Sequence, residues 1–82
     1  MKKSLHSGQS EILREHIRSL RERAGMTQRD LAKAVERDHG MIAKIEMGER
    51  RLDIIEYFWL VQALGADPVT EAANLMKSFR RE

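Results

Sequence analysis

The stretch Thr27-Gln28-Arg29-Asp30-Leu31-Ala32-Lys33-Ala34-Val35-Glu36-Arg37-Asp38-His39-Gly40-Met41-Ile42-Ala43-Lys44-Ile45-Glu46-Met47-Gly48 decides the fold. Thr27, with Asp30 three residues later, is close to a capping box. It opens a helix over about 28–35 whose inner face is Leu31, Ala32 and Val35. Asp38 is placed to cap a second helix over about 39–47, with Ile42 and Ile45 buried and Gly48 as its stop. Two short helices meet at a tight turn, and the second turns basic and polar residues outward. That is the layout of a unit that sets its second helix in the major groove of DNA.

The flanking sequence reads as support. Leu13, Ile17, Leu20 and Ala24 form one helical stripe, which predicts a first helix over about 10–24 with Gly25 as its stop, while the acids and arginines between them form a solvated face. Asp53 and Glu56 signal a fourth helix, with Ile54, Tyr57, Phe58, Val61 and Leu64 as its apolar face and Gly65 at its end. Asp67-Pro68 opens a fifth, with Val69, Ala72, Ala73, Met76 and Phe79 inward. There is no strand pattern or internal repeat, so the expectation is a compact, five-helix, all-α domain over 10–79. A flexible arm (1–9) and a short tail (80–82) flank it.

Composition limits the alternatives. A chain of 82 residues buries only about 60–65% of the surface its unfolded form exposes, so every apolar helix face is needed. Cysteine is absent, and His6, His16 and His39 lack the spacing of a zinc site. Nothing suggests a metal, a cofactor or a clustered nucleophile and base, which argues against an enzyme. Lys2 and Lys3 have no apolar run behind them and no window is long enough to span a bilayer, so a soluble, cytoplasmic protein is expected. The formal charge is only +2, which puts the weight on where the charges sit.

Arg21, Thr27-Gln28, Leu31-Ala32, Ile42, Ile45-Glu46-Met47-Gly48 and Ala63-Leu64-Gly65 together resemble the Cro/phage-repressor type of helix-turn-helix, the Xre family, over about residues 10–77. The resemblance implies a lambda-repressor-like fold and a small, single-domain DNA-binding protein. It implies that Gln28 touches the DNA backbone, in keeping with the affinity of a helix N-terminus for phosphate. It also implies that His39, Gly40 and Lys44 are principal base contacts, and that Arg21 pairs with Glu46 to fix the angle of the reading helix. Glu36 departs from the family, which usually has a left-handed glycine at that point of the turn.

The chemistry of each candidate follows from its side chain. Lys44 can donate to a guanine edge, His39 can donate from a ring N–H, Met41 can touch a thymine methyl, and Gly40 permits close approach. Gln28, Arg29, Lys33, Arg37, Arg50 and Arg51 flank the helix as phosphate contacts. Ile55 and Trp59, with Leu75 and Phe79, form a second apolar patch and suggest a symmetric homodimer whose reading helices lie about 34 Å apart. The expected function is a sequence-specific transcription regulator, a repressor on a palindromic operator, with double-stranded DNA as partner. The alternative is a protein-interaction module, such as an antitoxin or a phage-encoded partner, that also binds DNA.

Overall fold

Side-chain caps open four of the five helices among the described residues, α1 (Gly8–Arg23), α2 (Gln28–Ala34), α4 (Ile54–Ala63) and α5 (Pro68–Phe79), with α3 (His39–Met47) the exception. The computed structural model describes residues 7–81, and among these there is no strand. The Thr27 and Asp30 side chains exchange hydrogen bonds with each other's backbone N–H at 3.0 and 2.9 Å, a complete capping box, and Asp53 and Glu56 form a second. Asp67 accepts from the Thr70 N–H at 3.0 Å, with Pro68 in the first turn of α5. Asp38 has the extended backbone of an N-cap, but its side chain makes no capping hydrogen bond. Its carboxylate stays in solvent, 4.0 Å from His39 Nδ1.

Helix α1 begins two residues earlier than expected, because the Ser7 hydroxyl caps it by accepting from the Ser10 N–H at 3.2 Å. Gln9 then donates to the Phe79 carbonyl at 3.3 Å, tying the two ends of the domain together. Residues 7–9 therefore belong to the folded unit. The rest of the expected arm, residues 1–6, lies outside the described residues. At the other end Arg80 caps α5 and Arg81 closes a turn.

Ile42 lies at the centre of the core, fully buried among Ile17, Leu31, Ile45, Leu60 and Val61. On α4 the buried stripe is Tyr57, Leu60, Val61 and the capping Leu64, while Ile54 and Phe58 face solvent, contrary to expectation. The helix is apolar nearly all round, so several stripes fit its sequence equally and packing selects one. On α5 the inner line is Ala72, Leu75 and Phe79, spaced by three and four. Val69 is 76% exposed, and Ala73 and Met76 also face out. Leu75, only 6% exposed, thus faces its own core and cannot anchor a partner.

The turn between α2 and α3 is closed by two backbone hydrogen bonds, from the Glu36 N–H to the Lys33 carbonyl at 3.1 Å and from the Arg37 N–H to the Ala32 carbonyl at 2.8 Å. This Schellman arrangement requires a left-handed residue at 36, and Glu36 takes φ +56 to supply it. It is the one non-glycine residue at positive φ among those described. The turn keeps its shape and Glu36 absorbs the strain. Glu36→Gly is expected to raise stability by about 0.5–1 kcal/mol, the conformational cost of a side chain there less the entropy of a freer unfolded chain. Thermal melts of the two proteins check this.

Candidate nucleic-acid interface

Helix α3 has two unlike sides. Met41, Ile42 and Ile45 are buried beneath it, while His39, Lys44 and Met47 face solvent and Gly40 and Ala43 lie half-exposed between them. Met41, expected on the outer face, is a correction, at 9% exposed. It lies one turn before Ile45 and shares that residue's inward direction. Met47 takes the outer apolar place instead, three residues after Lys44 and seven after Gly40. That spacing was readable in the sequence, but Met47 sits next to the helix stop and was passed over.

The orientation of α3 is fixed by a polar cluster at its C-terminal end. Arg21 of α1 donates from Nε to Glu46 Oε2 at 2.7 Å and from Nη2 to Glu46 Oε1 at 3.0 Å, a two-pronged pair. Its remaining Nη1 donates to the Met26 carbonyl at 2.8 Å, which ties the α1–α2 connection into the same cluster. Gln28 completes it, donating from Nε2 to Glu46 Oε1 at 2.9 Å. The Arg21 and Glu46 side chains are 12% and 3% exposed, so the pair works in a sheltered setting. Burial pushes the Glu46 carboxyl up, but the hydrogen bonds from Arg21 and Gln28 and the Arg21 charge outweigh it and hold the group below the usual range.

The expected phosphate contacts fall into two groups. Arg29, Lys33 and Arg51 are exposed. Arg37 is exposed too, but its guanidinium carbon lies 5.1 Å from the centre of the Trp59 ring, a cation–π contact that holds it beside the turn. Arg50 is engaged inside the protein: its guanidinium grips Glu56 at 3.0 and 2.8 Å and also donates to the Arg51 carbonyl at 2.9 Å, which commits three of its five N–H donors to the start of α4. Sequence reading missed this because Glu56 was already assigned to the capping box, and a carboxylate has room for both partners. Gln28 has one amide N–H given to Glu46 and a second free to donate elsewhere.

Of the proposed partner surface, Ile55 and Trp59 are exposed, Phe79 is partly buried against the core, and Leu75 is inside. The Trp59 ring shares a groove with Val35, Glu36 and Arg37, on the side of the turn rather than of α5. His16 lies apart from the interface, stacked on Tyr57 with its Nε2 2.9 Å from the hydroxyl. Burial lowers its pKa and pushes that of Tyr57 up to about 12.

The Glu46 cluster gives a pH-dependent outcome. Because the folded protein holds this carboxyl below its ordinary value of 4.5, its contribution is complete above that pH and is lost as the pH falls through the lower folded value. Glu46→Gln is expected to cost about 3 kcal/mol at neutral pH, since it strands most of the charge on a sheltered arginine. The stability gap between the two proteins is expected to narrow below pH 4.5. Urea titrations at several pH values check both parts, and a gap independent of pH would contradict them.

A family model of the helix-turn-helix domain matches residues 12–75. Among solved structures, an XRE-family like protein from Pseudomonas syringae pv. tomato is 32% identical, with 89% of each chain covered and a TM-score of 0.82. The restriction-modification controller protein C.Esp1396I, solved as a tetramer in complex with its natural 35 base-pair operator, is 29% identical. There 88% of this chain and 95% of that chain are covered, with a TM-score of 0.77. The clp gene regulator ClgR from Corynebacterium glutamicum is 26% identical over 88% of this chain and 77% of that one, with a TM-score of 0.75. A comparison with curated proteins finds no match. A family match running from α1 into α5, joined to a structural neighbour of similar extent at 32% identity, makes this chain a member of the Xre-type helix-turn-helix family of DNA-binding transcription regulators.

Proposed function

We propose that the protein binds double-stranded DNA in a sequence-specific manner, as a homodimer on a palindromic operator, and represses transcription in the cytoplasm by occluding a promoter. The observation that carries this reading is α3 itself, a helix with one side sealed into the core and the other presenting Lys44, His39 and Met47 to solvent. No described helix is long and apolar enough to cross a membrane. Lys44 donates to the O6 and N7 acceptors of a guanine, His39 to a base or phosphate acceptor, and Gly40 lets the backbone approach. Met47 takes over from Met41 the apolar contact to a thymine methyl. Arg29, Lys33, Arg37 and Arg51, with the second N–H of Gln28, track the strands beside the groove.

The dimer is supported by an apolar face where Ile54 and Phe58 on α4 line one groove with Val69 and Met76 on α5, all four exposed in the single chain. This face replaces the patch built on Leu75 and Phe79. Large exposed apolar residues in a chain of this size suit an isologous contact, and the controller protein on its operator is itself an oligomer.

Lys44→Ala is expected to reduce the preference for the operator over random duplex by about tenfold, within the worth of one base contact, and to leave the salt dependence nearly intact. With three or four phosphates neutralised per subunit, the dimer's log affinity is expected to fall with log salt at a slope of about −5 to −7. Fluorescence titrations on both duplexes at several salt concentrations check this, and equal losses on both would instead make Lys44 a phosphate contact. Phe58→Glu is expected to shift sedimentation toward the monomer and weaken operator binding; an unchanged profile would exclude the α4–α5 face.

A further inference from the structure

Arg14 lies across the C-terminal end of α3, although in the sequence it belongs to the alternating charged face of α1. Its Nη1 donates to the Met47 carbonyl at 3.2 Å, and its Nη2 is 3.7 Å from Glu11 Oε1. The side chain is 20% exposed, and its Nε is buried without a hydrogen-bond partner. Directly beneath is Gly48, at φ +80, where an added Cβ would stand 2.5 Å from Arg14 Nη1 and 3.0 Å from Cζ. The glycine is favoured by its left-handed backbone, and a side chain there would displace the guanidinium from its place.

A buried N–H left unpaired works against stability, so stability alone does not account for an arginine here. Position does. Arg14 and Arg21 are seven residues apart, two turns along one face of α1, and they take hold of successive residues of α3. Arg21 grips the Glu46 side chain, while Arg14 grips the main chain at Met47, where a cation also complements the negative end of the helix dipole. One contact alone leaves α3 free to roll about it; two fix its roll and its end.

Resting on the DNA-reading role proposed above, we infer that Arg14 is a second positioning residue for the reading face, setting through the Met47 carbonyl how Lys44 and Met47 meet the duplex. Its guanidinium is turned to the Met47 carbonyl and Glu11 rather than outward. Its removal therefore costs discrimination and spares general affinity.

The test compares wild type, Arg14→Met, Arg14→Lys, Gly48→Ala and the Arg14→Met, Gly48→Ala double variant, each confirmed folded by circular dichroism. Binding is measured on a selected operator and on random duplex at one salt concentration. Arg14→Met is expected to lower the operator-to-random ratio by about tenfold, on the scale of one base contact, with random-duplex affinity unchanged within about twofold. Arg14→Lys, which keeps the charge and a donor, is expected to restore most of the ratio. Gly48→Ala, which displaces the guanidinium, is expected to cost about as much as Arg14→Met, and the double variant no more than either. An unchanged ratio, equal losses on both duplexes, or additive losses in the double variant would overturn the inference. Amide chemical shifts of residues 44–48 in the free protein separate this from the DNA reading. Shifts unmoved by Arg14→Met overturn the positioning role, whereas a wild type without any sequence preference overturns the DNA reading.

Discussion

The carboxylate of Glu46 is the point on which the reading helix turns. It is held from α1 by both prongs of Arg21 and from the start of α2 by Gln28, so three of the five helices meet at one acidic group. In a domain of this size the apolar core cannot set the roll of a nine-residue helix by itself. Met41, Ile42 and Ile45 bury one side of α3, yet three contacts within little more than one turn tolerate rocking. A directional, charge-assisted pair limits that freedom, and the Arg14 contact with the Met47 carbonyl adds a second hold at the end of the helix. Partial burial makes the arrangement unforgiving, because losing either charge strands the other.

The elements with special local chemistry were legible in the sequence. Capping boxes at Thr27 and Asp53 and the Asp67-Pro68 start placed three of the five helix starts, and Gly48 placed the end of α3, because these signals act over a few residues and do not depend on tertiary packing. The Arg21–Glu46 pair was also readable, through the resemblance to a known family, whereas the same resemblance marked Glu36 as a departure without saying whether the turn would keep its shape. The faces of α4 and α5 were not. Ile54, Ile55, Phe58, Trp59 and Leu60 lie in one apolar run, and the neighbours that choose among the possible stripes are distant in sequence.

The reading surface shows the same division. Lys44 and His39 were placed correctly, since the buried isoleucines dictate the opposite side. Met41, expected outside, lies inside because it is one turn before Ile45, and Met47, two residues beyond Ile45, faces out instead. Arg50 and Gln28 teach a different lesson. A basic or amide side chain near a groove-facing helix has internal acceptors competing for it, and Glu56 and Glu46 claim them at hydrogen-bonding distance. Positive charge in the sequence thus overstates the number of free phosphate contacts.

Selection of bound sites from a random duplex library tests the central claim most directly, because it assumes nothing about the operator. The account predicts enrichment of a short motif containing guanine, repeated with inverted symmetry at a spacing of about one helical turn. A pool that stays unenriched at low ionic strength would contradict it.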